Sequence, residues 1–380
     1  MSEEASAQLY ASLGVRPVIN AAGAYTILGG SAPAPAVLQA MEEANRYFVE
    51  MRDLLAASGK LIASMLECEA AYVTSGAAGA LALSAAACMT GTDFEKIEQL
   101  PDTTGMKNEI LVQTLLRTKY DRCVTIPGAR LVPVGDENGT TADQLRAAIS
   151  ERTAAVHFLA PGGQRGVLPI KQVIEIAHAA GVPVIVDAAG QTYPLDNLKK
   201  YTRMGADLVC YAAKYFDAPH STGMILGRSD LIEAAALNSF IGFETTGHLS
   251  FGRAMKIDRQ EIIGLVVALR EWLAMNHEER FLRYGERAER ILGAIKGVPG
   301  IEAYRISERE TPPPVVREGV RINLLPGFGR SAAAIASDLK DGSPSIWVGF
   351  GESSLNVSVA FFQDEDAEIV ARRLREALGA

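Results

Sequence analysis

The chain has little of what binds metals or builds cross-linked folds. It carries 4 cysteines and 5 histidines in 380 residues. Cys68, Cys88, Cys123 and Cys210 are widely spaced and fit reduced, mostly buried thiols rather than a disulfide framework. No cluster of histidine, cysteine and carboxylate has metal-ligand spacing, so no metal is expected. There is no run of lysine and arginine, and 37 basic against 45 acidic residues leave a formal charge of −8. Such a surface offers no footprint for nucleic acid or an anionic membrane. No uninterrupted apolar stretch is long enough to span a bilayer. The opening Met1-Ser2-Glu3-Glu4-Ala5 has neither a basic n-region nor an apolar h-region, so no secretory signal is expected. A cytoplasmic, metal-independent protein with no nucleic-acid or membrane partner is the default.

What is present suits an α/β enzyme. Nearly half the residues are apolar and glycine is abundant, and a chain of this length can bury a full core and divide into a large and a small domain. Strand-like and helix-like stretches alternate from about residue 70 to 230, the pattern of a mostly parallel, doubly wound sheet. Expected strands are Ala70–Val73, Glu109–Val112, Ala129–Val134, Ala154–Leu159, Val184–Asp187, Gly205–Tyr211 and Gly223–Gly227. Thr141-x-x-Gln144 resembles a capping box opening a helix. From Asp258 to about Arg290 a long, nearly unbroken helical pattern reads as the connection between domains. Pro312-Pro313-Pro314 punctuates a small domain with strands at Val320–Leu325 and Leu355–Phe361, closed by an amphipathic helix carrying Ile369, Val370, Leu374 and Leu378. The expected divisions are an N-terminal segment 1–50 covering the active site, a large cofactor-binding domain 51–257, and a linking helix with a small C-terminal α+β domain 258–380.

Two of those strands deliver chemistry to one sheet edge. Val184-Ile185-Val186 ends in Asp187, and Gly205 to Tyr211 leads through Ala212-Ala213 to Lys214. A lysine amine and a strand-end carboxylate are what pyridoxal 5'-phosphate (PLP) requires. The amine forms the Schiff base with the cofactor aldehyde, and the carboxylate holds the pyridine nitrogen protonated so that the ring accepts electrons. A buried strand-end carboxylate and a solvated lysine is the plainer alternative for these two residues taken alone. Ser75-Gly76-Ala77-Ala78-Gly79 follows a strand and opens a helix. Small residues let the backbone approach an anion, and the helix N-terminus favours a phosphate, although tight packing alone also explains such a junction. Ala189 is small enough to lie under a planar ring. Ser221 and Thr222, in a Pro-His-Ser-Thr-Gly turn, are candidate phosphate donors or ordinary turn residues.

These motifs resemble the selenocysteine-synthase-like branch of fold-type-I PLP enzymes, the aspartate aminotransferase superfamily. That branch includes seryl-tRNA selenium transferase and D-glucosaminate-6-phosphate ammonia-lyase. The matching pieces span almost the whole chain: Leu13 to Gly23, Thr74 to Ala78, Arg117-x-x-Tyr120-Asp121, Val186 to Ala189, Gly205 to Val209, Lys214, Ser221 to Gly223 and Gly252-Arg253-x-Met255-Lys256. The resemblance implies Lys214 as the Schiff-base lysine, Asp187 as the partner of the pyridine nitrogen and Ser75, Gly76 and Ala77 as the phosphate cup. Two departures stand out. Relatives usually place Ser and Gly just before the lysine, where this chain has Tyr211-Ala212-Ala213, making Tyr211 the candidate replacement donor. Relatives often carry His directly before the Arg of the Arg-x-x-Tyr-Asp motif, where this chain has Leu116. Ring stacking would then pass to the planar guanidinium of Arg117 or to Tyr120, with a surface ion pair the alternative for Arg117. In this superfamily N-terminal segments cover the active site, which makes Tyr25 and Thr26 candidate substrate contacts. Arg253 and Lys256 are candidate anion binders, with an intersubunit salt bridge the alternative.

The function implied is a PLP-dependent lyase or transferase acting on a small amino acid or amino sugar acid through an external aldimine and a quinonoid. Elimination of water or ammonia is the first expectation, aminotransfer or racemisation the alternative, and a non-catalytic PLP-fold protein a third. Selenium transfer to tRNA is disfavoured, because the catalytic-type Leu13 to Pro17 motif begins almost at once and the charge is acidic. A homodimer or higher homo-oligomer with a composite site is expected from the same resemblance.

Overall fold

The computed structural model describes residues 9–309, 317–363 and 365–379; Pro312-Pro313-Pro314 lies outside the described residues. The chain forms two compact units that divide it elsewhere than expected. One runs Ser31–Ala274; the other gathers the described residues up to Gly30, Met275–Arg309 and those from Arg317 on. The segment expected to stand alone at 1–50 is therefore shared between the units. The helix expected to open the small domain stays with the larger one.

Strand β1 (Val18–Ala21) belongs to the smaller unit, and seven strands build the larger: β2 (Ala70–Thr74), β3 (Glu109–Gln113), β4 (Arg130–Val134), β5 (Thr153–Leu159), β6 (Val184–Asp187), β7 (Leu208–Ala212) and β8 (Gly223–Gly227). Their order is β2-β8-β7-β6-β5-β3-β4. Pairing is parallel from β4 through β7, and β8 runs antiparallel to both β2 and β7. This is the mostly parallel α/β sheet read from the alternating pattern, in the aspartate-aminotransferase-like form that the resemblance implies. Helices lie on both faces. Cys210 of β7 points one way, its Sγ 3.3 Å from Ser84 Oγ of the Gly76–Thr90 helix. Tyr211 points the other way, its hydroxyl donating to the Asn197 carbonyl at 2.8 Å. The Gly76–Thr90 helix is buried from Gly79 to Ala87 on every side, which is why its Ala/Leu sequence shows no polar stripe. Thr141 and Gln144 close the expected capping box, with Gln144 N–H donating to Thr141 Oγ1 at 3.2 Å and Thr141 N–H to Gln144 Oε1 at 2.8 Å.

The long pattern from Asp258 resolves into two helices, Arg259–Ala274 and His277–Ile295. Asn276 interrupts it, because its side chain accepts from the Glu279 N–H at 3.2 Å and so caps a new helix instead of continuing the old one. In the smaller unit a five-stranded sheet has the order β1-β11-β12-β10-β9, where β9 is Ile301–Glu308, β10 Arg317–Leu324, β11 Ser345–Phe350 and β12 Ser354–Ser358. Three helices share its core, in which Ile291, Ile322, Ile335, Ile346, Leu355, Val370 and Leu374 are fully enclosed. Among the described residues no helix is long and apolar enough to cross a membrane, and no three His, Cys, Asp or Glu side chains are grouped to hold a metal ion.

Candidate active site

The larger unit brings its reactive side chains to the carboxyl ends of the parallel strands, the edge where open α/β sheets bind ligands. Register places Leu159, Asp187 and Cys210 side by side across β5, β6 and β7. Asp187 ends β6 and is buried, its Oδ1 accepting from the Ala189 N–H at 3.0 Å. Burial raises its pKa from 3.8 to about 6, the Ala189 bond works against that rise, and the Asp121 charge adds to it. Among the described residues Asp187 has no ion pair. A carboxylate held this way favours a cation beside it, and a protonated ring nitrogen is such a cation.

Lys214 stands in the short turn Ala213–Phe216 that leaves β7. It is half-buried, with Nζ 5.1 Å from the Tyr215 ring centroid, and burial lowers its pKa. A lysine shifted in this direction reaches its nucleophilic amine form at a lower pH than a solvated one.

The phosphate cup expected at Ser75, Gly76 and Ala77 falls where β2 passes into the Gly76–Thr90 helix. Ser75 precedes the helix without capping it, and Gly76 has φ +73°, a left-handed conformation that favours glycine. A Cβ on Gly79 would lie 2.8 Å from Ser75 Oγ, and one on Gly223 would lie 2.5 Å from the Gly76 carbonyl carbon. The N–H groups of the first helical turn, at a junction where glycine lets backbone pack closely on backbone, fit a phosphate. The residues present therefore fit PLP: phosphate at Ser75, Gly76 and Ala77, ring nitrogen at Asp187, aldehyde at Lys214.

Other expected residues are placed less simply. The fully buried Tyr211 lies on the sheet face opposite the Gly76–Thr90 helix with its hydroxyl committed to Asn197. It is a core residue and does not replace the serine that relatives carry, because alternate side chains of a strand point to opposite faces. Ser221 donates to the Glu261 carboxylate, and the buried Thr222 hydroxyl donates to the Pro219 carbonyl at 2.7 Å. Both hydroxyls brace the turn. Ala189 is half-buried two residues beyond Asp187. Arg117 is held by the Asp121 carboxylate, which also accepts from the Thr118 N–H at 3.2 Å. Tyr120 is 56% exposed beneath the Lys119 ammonium. The turn Arg253–Met255 lies beside the cup, since Met255 Sδ is 3.9 Å from the Gly79 Cβ position. Arg253 pairs there with Glu244 at 2.6 Å, and Lys256 is exposed. Tyr25 and Thr26 fall in the smaller unit, where the Tyr25 hydroxyl lies 3.9 Å from the Gly349 Cβ position.

Three titratable residues at this edge were given no role of their own from sequence, although Asp121 closes the Arg117-x-x-Tyr120-Asp121 motif. Asp121 is buried, pairs with Arg117 and acts on Asp187; its place four residues after Arg117 was the available signal. His157 sits on β5 opposite Ile185, buried with neither ring nitrogen hydrogen-bonded, and burial lowers its pKa to about 4. Its neighbours in sequence are all apolar, so nothing marked it as more than core. His220 stands in the turn between Lys214 and β8, with Nδ1 buried and without a hydrogen-bond partner.

A fold-type-I sheet with a strand-end Asp, a following Lys and an anion cup defines a PLP enzyme. Residues 73–309 match the family described as aminotransferase class-V. The chain belongs to that family, within the fold-type-I branch that contains D-glucosaminate-6-phosphate ammonia-lyase. It is 34% identical over 346 residues to the D-glucosaminate-6-phosphate ammonia lyase of Salmonella typhimurium, covering 89% of this chain and 88% of that one. It is 32% identical over 382 residues to a 5'-C-glycyluridine monooxygenase-decarboxylase of a Streptomyces species, covering 97% and 92%. A solved D-glucosaminate-6-phosphate ammonia-lyase superposes with a TM-score of 0.83 at 30% identity, covering 97% of this chain and 98% of the other. Aspartate aminotransferase from Thermotoga maritima, at 14% identity and a TM-score of 0.53, shares the fold.

Proposed function

We propose that the protein is a PLP-dependent lyase that removes the proton next to the amine of an amino sugar acid or small amino acid and expels a β-substituent. The observation that carries this reading is the placement of Asp187 and Lys214 at the carboxyl ends of adjacent parallel strands. Bound there, PLP would supply an electron sink for negative charge developing at the substrate carbon. Asp187 would keep the ring nitrogen protonated. Lys214 would give up its covalent link to the incoming amine and then, half-buried and biased toward the neutral form, take the proton. The first helical turn at Ser75–Ala77 would hold the phosphate, and Arg117, fixed by Asp121, would stack on the ring. Arg253 and Lys256, at the turn beside the cup, are the proposed substrate contacts of the larger unit; Tyr25 and Thr26 are proposed as contacts on the resemblance alone. The ammonia-lyase relative supports elimination. The decarboxylase relative supports a second reading in which the same lysine and carboxylate serve loss of a carboxyl group. A screen of D- and L-amino acids and amino sugar acids decides between them. Ammonia with a keto acid marks elimination, oxygen uptake with carbon dioxide marks the second reading, and a cofactor absorbance that no amino compound shifts would leave a non-catalytic protein.

The reading includes a homodimer in a reducing, cytoplasmic setting. Tyr47, Phe48 and Val49 form a consecutive exposed apolar run, with Phe48 93% exposed and the Arg259 guanidinium stacked on it, 4.8 Å from its ring centroid. Such a run on a large enzyme suits a surface closed by a second copy. The four cysteines are free thiols, in keeping with the setting. Sedimentation equilibrium with activity followed in parallel tests the dimer, and a fully active monomer would refute it.

A further inference from the structure

The smaller unit buries one face of its sheet and leaves the other polar. On β10, Val320 and Ile322 lie in the core, so Arg321 and Asn323 face the opposite side, because side chains alternate along a strand. The same alternation puts Ser354 and Asn356 of β12 on that side, with Leu355 and Val357 in the core. Trp347 and Gly349 of β11 join them, with Ile346 and Val348 in the core. Register sets Asn356 opposite both Arg321 and Gly349. The Arg321 guanidinium is spread over this patch. Its Nε donates to Asn323 Oδ1 at 3.2 Å, Nη1 to Asn356 Oδ1 at 3.4 Å and Nη2 to Ser354 Oγ at 3.2 Å. All three acceptors are neutral, and all three bonds are longer than an arginine–carboxylate bond, about 2.7–2.9 Å. The other arginines of this hairpin are answered by carboxylates, Arg305 and Arg309 by Glu318 and Arg317 by Glu308. Among the described residues Arg321 has no such partner. The neighbouring Glu302 carboxylate accepts from Asn323 Nδ2 at 3.5 Å and leaves the guanidinium without an ion pair.

We infer that this patch is an oxyanion subsite, taking the carboxylate or phosphate of a small organic acid or the free inorganic ion. It lies wholly within the smaller unit and does not depend on the PLP reading. Three of the five guanidinium N–H groups are used in the bonds above, and two remain. An asparagine whose Oδ1 accepts has its Nδ2 hydrogens directed elsewhere, and a serine whose Oγ accepts still has its own O–H to give. The patch therefore presents donors around a positive charge. Gly349 keeps the space beside them open. The position its Cβ would take is 3.5 Å from the Asn356 Cβ and 3.9 Å from the Tyr25 hydroxyl. That hydroxyl is a further donor, on a residue 51% exposed. A ligand resting on Gly349 meets Arg321, Asn356 and Tyr25 together. A cation there would be repelled by the guanidinium, and an apolar group would leave the donors unanswered. An anion with at least two oxygens is the class that satisfies both the charge and the donors.

The test is isothermal titration calorimetry on the full chain, first charged with PLP and reduced with borohydride so that the cup at Ser75 is closed to added phosphate. Two probes are used: inorganic phosphate, and D-gluconate 6-phosphate, a sugar acid with no amine to engage the cofactor. Wild type should bind one anion per chain, more weakly as salt rises. Arg321→Gln should weaken binding about 10-fold or more, and Tyr25→Phe about 2- to 5-fold. Asn356→Asp places a carboxylate against the guanidinium. It should abolish binding while the thermal unfolding temperature stays the same or rises. A sugar acid held about 10-fold more tightly than phosphate assigns the subsite to an organic acid, and affinities closer than that assign it to the free ion. No binding of either probe by wild type at about 10 mM, or folded Arg321→Gln and Asn356→Asp proteins that bind as wild type does, would overturn the subsite. Peptide mapping of the reduced adduct reads the PLP proposal separately, since an adduct away from Lys214 would sink that reading and leave the Arg321 comparison intact.

Discussion

Two buried aspartates on adjacent strands of the large sheet meet opposite fates. Asp207, just before β7 at its amino end, is closed in by partners. Its Oδ2 accepts from the Val184 N–H at 2.8 Å and lies 2.8 Å from His178 Nε2, and Arg228 reaches its Oδ1 at 3.0 Å. Asp187, at the carboxyl end of β6, has the Ala189 N–H and, among the described residues, no cation. One edge of the sheet satisfies its carboxylate and the other leaves it waiting. A buried charge without a partner is costly, so its presence marks the edge where a ligand is needed, while the satisfied one holds strands together.

Lys214→Ala should have the largest effect, complete loss of covalently held cofactor in a folded protein; borohydride reduction and peptide mapping read it directly, and an adduct persisting on Lys199 or Lys256 would move the site. Asp187→Asn comes next. Activity should fall by several factors of ten, each about 1.4 kcal/mol of transition-state stabilisation, while cofactor still binds. Near-normal turnover would make Asp187 a structural residue like Asp207. The same substitution should make the cofactor-free protein more stable. The folded-state pKa of Asp187 is raised to about 6 from 3.8, so its protonated form is favoured in the fold, and stability declines as pH rises from about 4 through 6. Removing the charge should restore about 3 kcal/mol at pH 8, measured by urea unfolding. Asp207→Asn should act in the opposite sense. It weakens the acceptor for the Val184 N–H and removes the charge facing His178 and Arg228, which keeps Asp230, and should cost about 1–2 kcal/mol at neutral pH, with the cofactor absorbance kept; a loss of cofactor greater than the loss of stability would erase the contrast.

Smaller effects sharpen the same contrast. Gly76→Ala forces a left-handed residue at φ +73° and should cost about 1–2 kcal/mol, read as weaker PLP affinity by fluorescence titration. His157 is the counterweight to Asp187. Its folded pKa lies near 4, so it contributes stability above its unfolded pKa that is lost as pH falls from about 6.5 through 4. The two slopes oppose each other, and wild-type cofactor-free protein should show a nearly flat stability profile over that range. His157→Leu should expose the Asp187 slope, with stability falling as pH rises; a profile that stays flat would mean that the two groups are not titrating as buried singles.

The strands were legible because buried parallel strands read as short apolar runs, and β2 to β8 lie within a few residues of where those runs are. β1, β9 and β11 were not, because β1 pairs with β11 across most of the chain, although β11 also turns back on β12, and β9 alternates only weakly. The same limit applies to side chains. Tyr211 looked like a spare donor because it sits three residues before Lys214, and only the pleat of β7 shows that it faces the other side of the sheet. Asn276 reads as one polar residue in a long helical pattern until its side chain is seen capping the next helix.

Sequence by itself determined the sheet and singled out the lysine and the strand-end carboxylate of the proposed site, since these depend on local apolar runs and on residue types that few other chemistries combine. The tertiary structure decided which polar groups are already spent. Ser221, Thr222 and Tyr211 give their hydroxyls to the protein, whereas Asp187, His157 and the Nδ1 of His220 are buried short of partners. Satisfaction of a hydrogen bond depends on groups brought together from distant parts of the chain, and no spacing along the sequence records it.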